Sequence, residues 1–289
     1  ESWQRQFKKI CAKYSLFGTI LIAREGINGT IAGNHNGINS FVIWLREQSE
    51  FKKIAIKYSQ NDICPFNRMK VRLKKEIVTM GKPDINPSNS RGVYIKPQDW
   101  NELILSPDVL VIDTRNVYEV EIGRFKNALN PSTKSFRDFP KWADNFALSK
   151  KNKKKSKIAM YCTGGIRCEK STAYLKKIGF DEVYHLKGGI LKYLEEVPLS
   201  QSLWQGECFV FDNRVSVNHK LQKGAYALCN ACRHPLSDNE IKSSSYQSGI
   251  SCPYCISKTT SQQKERFKER QKQIKLARYR GQKHIGASF

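Results

Sequence analysis

Apolar positions in the first sixty residues follow helical and strand-like spacing in turn. A first helix is predicted by WQRQFKKICAKYSL, a strand by GTILIA, a turn by REGING and a second strand by GTIAG. An amphipathic helix that begins near Asn36 or Gly37 is predicted by NGINSFVIWLREQSEF, and a third strand by KKIAIKYS. The order α-β-β-α-β is that of a ferredoxin-like split βαβ unit without its first strand, which we expect upstream of Glu1.

A turn-rich segment separates this unit from the next. One or two strands are predicted by VRLKKEIVTM, and a linker by GKPDINPSNSRG. We therefore expect a ferredoxin-like α+β domain over residues 1–80 and a linker over residues 81–92.

From Val93 onward, helical and strand patterns alternate. Helices are predicted by PQDWNELIL, SFRDFPKWADNF, EKSTAYLKKIGF and GILKYLEEV, and strands by VLVIDTR, IAMYC and VYHL. This alternation predicts an α/β domain over residues 93–200, with helices on both faces of a parallel sheet. Ligands of such sheets bind outside the carboxyl ends of the strands, and Cys162 follows one of these ends.

Residues 201–289 form a third region, which is irregular and rich in cysteine before it becomes strongly basic. Over the whole chain, 50 Lys and Arg outnumber 26 Asp and Glu, for a net charge of +24. Such an excess favours a polyanionic partner, nucleic acid first and an anionic membrane surface second. A basic protein without such a partner is the alternative. No apolar run approaches the roughly 18 residues of a membrane span, so we expect no membrane insertion.

Cysteine usage argues for reduced thiols. The chain has nine cysteines, an odd number, and two Cys-x-x-Cys pairs lie near one end. This distribution argues against a secreted disulfide scaffold and favours metal binding or thiol chemistry. We therefore expect a cytoplasmic protein.

The loop CTGGIR places one sulfur atom in a setting that favours thiolate. The loop residues that we expect to form an anion nest of backbone N–H groups are Thr163, Gly164, Gly165 and Ile166. A helix that starts near Cys168 or Glu169 directs its positive end at Cys162, and Arg167 adds a cation. Together they predict a lowered pKa and a nucleophilic Cys162. The alternative is an inert cysteine that ends a strand.

This loop resembles the active-site loop of rhodanese domains, in which a cysteine and an arginine enclose four residues. VLVIDTRNVYEVEIGRFKNALN is similar to a second rhodanese signature, whose places are held by Asp113, Arg115, Glu119 and Gly123. HLKGGILKYLEE resembles the end of the domain. The chain departs from the pattern at Arg124 and Phe125, where many rhodaneses have His-Ile.

The resemblance extends along nearly the whole chain. Taken together, LIAREGINGTIAG, FNRMKVRLKKEIVTMG, NPSTKSFRDFP, CTGGIRCEKS and SCPYC followed by RFKERQKQI resemble the bacterial rhodanese-domain tRNA uridine hydroxylases. The resemblance implies oxygen-dependent conversion of the wobble uridine in the tRNA anticodon loop to 5-hydroxyuridine, with molecular oxygen as co-substrate. It implies Cys162 as the essential thiol. From the loop itself we expect Arg167 to be a second catalytic residue, with Asp113, Arg115 and Cys168 in support. No flavin, haem or nucleotide cofactor is evident. A sulfurtransferase that uses a persulfide on Cys162 is the alternative function.

Cys168 is a second thiol in the first turn of the predicted helix. It could resolve a sulfenic acid or a persulfide on Cys162. A small residue packed against the sheet is the alternative interpretation, and the spacing does not separate the two.

Four cysteines have the spacing of a zinc site. CNAC and CPYC enclose nineteen residues, which falls within the range for four-thiolate zinc. The predicted ligands are Cys229, Cys232, Cys252 and Cys255. A structural zinc ion would stabilise a region with few apolar residues. The alternatives are reduced thiols or two disulfides, with His234 as a replacement ligand.

A basic helical tail is predicted after Thr260, and Phe267 and Tyr279 interleave with its cations. Cations bind phosphates and aromatic rings stack on unpaired bases, so the tail suits a tRNA. The predicted contacts are Lys264, Arg266, Lys268, Arg270, Lys272, Arg278 and Arg280. The run KKNKKK at 150–155 is a second basic segment, and both could instead be solvated.

Overall fold

A computed structural model describes residues 1–148 and 157–282. The chain forms two compact units. One contains Glu1–Ile77 and the described residues from Leu228 onward, and the other contains Val78–Ala227. The basic run at 150–155 lies outside the described residues. No helix of the described chain is both long and apolar enough to cross a membrane.

The amino-terminal part of the first unit packs two helices on one face of a small sheet. Its elements are α1 (Ser2–Lys13), β1 (Phe17–Ala23), β2 (Gly26–Ala32), α2 (His35–Glu47) and β3 (Met69–Leu73). The sheet order is β2-β1-β3, with β2 antiparallel and β3 parallel to β1. Phe7 and Cys11, four positions apart on α1, are buried against Phe41 and Leu45 of α2.

Two predictions in this part were wrong in detail. The segment KKIAIKYS is not a strand, and the third strand is Met69–Leu73. A strand needs a hydrogen-bonded neighbour, and β1 pairs with Met69–Leu73 on its free edge. The turn is also shorter than predicted, because β2 already begins at Gly26, whose φ of 135° suits glycine.

The second unit is built on a parallel sheet. Its helices and main strands are α3 (Pro87–Ser90), β4 (Val93–Ile95), α4 (Pro97–Leu105), β5 (Val109–Asp113), α5 (Val117–Val120), β6 (Gly123–Phe125), α6 (Phe139–Leu148), β7 (Lys157–Tyr161), α7 (Ile166–Lys177), β8 (Glu182–Leu186) and α8 (Gly189–Glu196). Short strands follow as β9 (Trp204–Gly206), β10 (Cys208–Phe209) and β11 (Ser216–Val217). The sheet order is β4-β8-β7-β5, and all three pairings are parallel.

Alternating side chains of this sheet enter two cores. On β7, Ile158 and Met160 are buried in one cluster with α6 and α7. Ala159 and Tyr161 are buried in a second cluster with α4 and α8. A strand buried on both faces has a nearly continuous apolar sequence, as IAMY does. The prediction of a mixed α/β fold with a parallel sheet is confirmed.

The carboxyl-terminal part is irregular until its last helix. Its elements are β12 (Ala227–Leu228), β13 (Pro235–Leu236), α9 (Asp238–Ile241) and α10 (Ser261–Tyr279). Thr260 caps α10, because its hydroxyl accepts a hydrogen bond from the backbone N–H of Gln263 at 3.2 Å. α10 has no buried residue, so little of its surface is used for packing.

Candidate active site and candidate metal centre

Cys162 lies directly after β7, at the carboxyl end of the parallel sheet. Gly165 then adopts a φ of 95° and starts α7, two residues earlier than predicted. The backbone N–H of Gly165 donates to the Cys162 sulfur at 3.1 Å. The sulfur therefore lies where a helix begins and a backbone donor faces it.

The loop is also held by a hydrogen bond from α8. The backbone N–H of Ile190 donates to the Cys162 carbonyl at 2.9 Å. A Cβ atom on Gly189 would lie 2.5 Å from that carbonyl oxygen, so only glycine allows α8 to approach. The motif HLKGGI contains this glycine, but its spacing alone does not reveal the contact.

The Arg167 guanidinium is paired with a carboxylate. It donates to Glu119 at 2.6 and 2.8 Å and to the Thr163 hydroxyl at 3.2 Å. Both members of the Arg167–Glu119 pair are buried. Burial alone would raise the pKa of Glu119, but the charge and hydrogen bonds of Arg167 lower it. Arg167 thus fixes the loop through Glu119 and Thr163, and its hydrogen bonds do not go to the sulfur.

Asp113 and Arg115 hold the chain segment that carries Glu119. Arg115 donates to Asp113 at 2.6 Å and to the carbonyl of Glu119 at 3.1 Å. A further hydrogen bond of 2.6 Å reaches the carbonyl of Gly123. Asp113 therefore positions Arg115, which in turn holds the segment that presents Glu119 to Arg167.

The electrostatics of the loop favour a thiolate at Cys162. Burial raises the pKa of a thiol, but here it is outweighed by a hydrogen bond from Cys168, by the charge of Arg167 and by backbone N–H groups, which lower the pKa to about 5. For Cys168, burial and the neighbouring Cys162 thiolate raise the pKa well above its usual value. The two sulfurs therefore share one proton, which Cys168 keeps.

Access to the sulfur is narrow. Cys162 is 1% exposed, whereas Gly164 in the same loop is exposed and has open space where a side chain would start. Phe211 is 65% exposed and lies over the Arg167 guanidinium at 5.9 Å. Sequence analysis missed Phe211, since no motif marks it.

The four cysteines of the carboxyl-terminal region come together. Their sulfur atoms all lie within 4.8 Å of one another, and three of the four residues are buried. Cys252 is 3.6 Å from Cys232 and 3.6 Å from Cys255. Tetrahedral zinc with Zn–S bonds of about 2.3 Å requires sulfur separations of about 3.8 Å. The quartet therefore fits a four-thiolate metal ion. The His234 ring instead stacks on Tyr254 at 3.6 Å.

The predicted RNA-binding cations of α10 have different roles in the structure. Arg266, Lys272 and Arg278 are exposed. Lys268 forms an ion pair with Glu265 at 2.8 Å. The Arg270 side chain donates to the carbonyls at positions 230 and 249, so it holds the helix in place.

Comparison with known families agrees with these two units. Residues 96–196 match the family model described as a rhodanese-like domain. Residues 1–77 match the model described as a UPF0176 acylphosphatase-like domain. The chain therefore contains a rhodanese domain and, before it, an acylphosphatase-like domain, a combination that is consistent with the UPF0176 family.

Solved structures that resemble part of the chain include three of bacterial or archaeal origin. A protein of unknown function and possible tyrosine phosphatase from Rhodopseudomonas palustris is 20% identical over 37% of this chain and 80% of that chain, with a TM-score of 0.31. A rhodanese-like domain from Anabaena is 16% identical over 39% and 78%, with a TM-score of 0.31. A rhodanese-related protein from Thermoplasma volcanium is 23% identical over 37% and 93%, with a TM-score of 0.29.

Proposed function

We propose that this protein is a tRNA-modifying enzyme that hydroxylates the wobble uridine to 5-hydroxyuridine with molecular oxygen. The observation that carries the proposal is the Cys162 thiolate, held at 3.1 Å by a backbone N–H in a rhodanese loop. The excess of 24 positive charges and the exposed basic helix support a polyanionic substrate.

The thiolate supplies a nucleophile for the base. In the proposed mechanism, Cys162 adds to C6 of uridine and makes C5 electron-rich enough to react with oxygen. The bond to C6 breaks when the product leaves, which regenerates the thiolate. Arg167 and Glu119 act as positioning residues, because they hold the loop without a hydrogen bond to the sulfur.

The overall stoichiometry requires a reductant. One oxygen atom of O₂ enters the base and the other becomes water, so the reaction consumes two electrons and two protons. Two molecules of a cellular thiol supply both when they form a disulfide, and we propose such a thiol as the reductant. Cys162 is not oxidised in this scheme, because it leaves C6 as a thiolate.

The quartet fits zinc, and zinc bound by four thiolates would supply stability rather than chemistry. Its role in the proposed function is to hold the carboxyl-terminal region folded.

A sulfurtransferase is the second candidate. The same backbone N–H that faces the Cys162 thiolate would also stabilise a terminal persulfide, and residues 96–196 match rhodanese domains. This function needs neither the basic helix nor the quartet. For that reason we rank it second.

The test uses purified full-length protein, an unmodified tRNA transcript, oxygen and a thiol reductant. Mass spectrometry of the digested nucleosides should show 5-hydroxyuridine with wild-type protein and none with Cys162→Ser or without oxygen. Release of thiocyanate from thiosulfate and cyanide is measured in parallel. Sulfur transfer without 5-hydroxyuridine would reject the hydroxylase and establish the second candidate.

A further inference from the structure

The sheet of the amino-terminal domain has one covered face and one open face. Helices α1 and α2 cover the face that carries Ile20 and Val71, both buried in the domain core. Side chains alternate along a strand, so Lys70 and Arg72 of β3 lie on the opposite face. Within the described residues, β3 pairs with β1 on one side and with no strand on the other, so it is an edge strand.

Three cations lie on this open face, and a fourth, Arg233, is close enough to Lys70 to affect its pKa. Arg68 continues the alternation of β3, since its carbonyl accepts a hydrogen bond from Gly18 of β1 at 3.1 Å. Partial burial lowers the pKa of Lys70, and the nearby positive charges of the three arginines lower it further. We name Lys70 together with the three arginines, Arg68, Arg72 and Arg233, the sheet-face patch. Within residues 1–148 and 157–282, no carboxylate forms an ion pair with any of the four.

The cysteine quartet connects this patch to the basic helix. Arg233 follows Cys232 directly and adopts a φ of 70° in the turn between the first cysteine pair and β13. In the same region, Arg270 of α10 donates to the carbonyls of Asn230 at 2.8 Å and Gly249 at 2.9 Å. The turn that contributes Arg233 to the patch is therefore the turn on which α10 is fastened.

We infer that the sheet-face patch and α10 form one surface for the phosphate backbone of RNA, with the cysteine quartet as its structural joint. Unpaired like charges repel one another, and bound phosphates remove that repulsion. α10 alone is about 28 Å long, so the surface suits a chain of phosphates better than a small anion. The inference deepens the proposed function and depends on RNA being the substrate.

Neighbouring side chains on the open face agree with this partner. In register with Lys70 lie Thr19 of β1 and then Thr30 of β2. Hydroxyl groups of this kind donate to phosphate and ribose oxygens. They do not offer the apolar wedge that a membrane surface would require.

The experiment measures RNA binding by the full-length chain as a function of salt concentration. The probe is an unmodified tRNA transcript, and the variant is Arg68→Gln/Arg72→Gln, in which both substituted side chains are exposed. The matched control is Lys8→Gln/Lys9→Gln, which removes the same charge from exposed positions of α1 on the covered side. Metal content and circular dichroism check that each variant is folded.

We expect the slope of log K against log salt to fall by about 1 to 2 in the patch variant, since each lost phosphate contact contributes about 0.7 to 0.9. The control should keep the slope of wild type. An unchanged slope in the patch variant, or an equal fall in both variants, would overturn the inference and leave the proposed function standing. Wild type that binds anionic vesicles but not tRNA would overturn both.

Discussion

Two groups of cysteines in this chain illustrate how surroundings decide what a thiol does. In the rhodanese loop, the Cys162 sulfur accepts a hydrogen bond from a backbone N–H. A buried arginine and one further thiol, Cys168, also influence its pKa. In the quartet, each sulfur has three other sulfurs within 4.8 Å. Fixed donors around a single thiolate favour reactivity, whereas four thiolates bound to one cation would be inert. Cys162, Cys168 and three of the four quartet cysteines are buried, so burial does not distinguish the two groups.

Among the substitutions that test this comparison, one that removes the metal should have the largest effect on stability. Cys252→Ser takes away a sulfur that lies 3.6 Å from each of two others, and we expect loss of one equivalent of zinc together with unfolding of the carboxyl-terminal region. Structural zinc contributes on the order of 10 kcal/mol to such regions. Elemental analysis and thermal melting measure the result. The exposed Cys64→Ser is the control, and metal-free wild type with an unchanged melting curve would contradict the four-thiolate site.

Loss of the nucleophile should come next. Cys162→Ser should lower the rate of 5-hydroxyuridine formation by about three orders of magnitude or more, because a hydroxyl is far less nucleophilic than a thiolate. Its zinc content should equal that of wild type. Retention of full activity would show that Cys162 is not the nucleophile.

Arg167→Ala tests whether the arginine acts on stability or on the thiol alone. It leaves Glu119 buried without its partner, which costs about 3 to 5 kcal/mol of unfolding free energy. The double variant Arg167→Met/Glu119→Gln removes both charges and should recover much of that loss. Denaturant unfolding measures each variant. Equal stability of wild type and Arg167→Ala would mean that the Arg167–Glu119 pair contributes nothing to the fold.

The pH dependence of alkylation tests how Arg167 affects the pKa of the Cys162 thiol. Wild-type Cys162 should react with iodoacetamide with a midpoint near its pKa of about 5. Because the folded pKa lies below the unfolded one, ionisation of Cys162 stabilises the fold fully above the unfolded pKa, and this contribution is lost as the pH falls towards 5. Arg167→Lys should raise the midpoint slightly, since a point charge replaces a planar fork.

The second thiol is tested by the same alkylation measurement. Cys168→Ala removes a hydrogen bond to the Cys162 thiolate, and we expect the alkylation midpoint of Cys162 to rise by about one pH unit, which corresponds to about 1.4 kcal/mol. Cys168→Ser keeps a donor and should raise it less. The other cysteines are accounted for with Cys162→Ser as background. An unchanged midpoint in both variants would remove Cys168 from the description of the thiolate.

Local sequence patterns predicted most elements of the rhodanese domain, because residues close together in the sequence define each of these elements. Each buried strand is a short apolar run, and each helix has its own periodicity, so the order of elements follows directly. The third strand of the amino-terminal sheet was assigned to the wrong segment because KKIAIKYS and MKVRL have equally strand-like patterns. Pairing with β1 decides between them, and pairing is a long-range property.

The partner of Arg167 shows the same limit at the site. Its place at the end of the loop suggested a guanidinium directed at the sulfur, but Glu119, distant in sequence, takes both of its terminal nitrogens. A buried arginine pairs with a buried carboxylate wherever geometry allows, because an isolated charge in the interior is costly. The resemblance had marked Glu119 as part of a signature without indicating its contact.

The sequence by itself determined the position of Cys162 at a strand end, the paired cysteines at zinc-like spacing and the strongly basic charge. The first two are properties of neighbouring residues, and the third is a property of composition. Only the tertiary structure decided which strand completes the first sheet, which carboxylate binds Arg167 and which cations share the sheet-face patch. These depend on residues far apart in the chain, such as Lys70 and Arg233, whose proximity arises from packing and not from any local pattern.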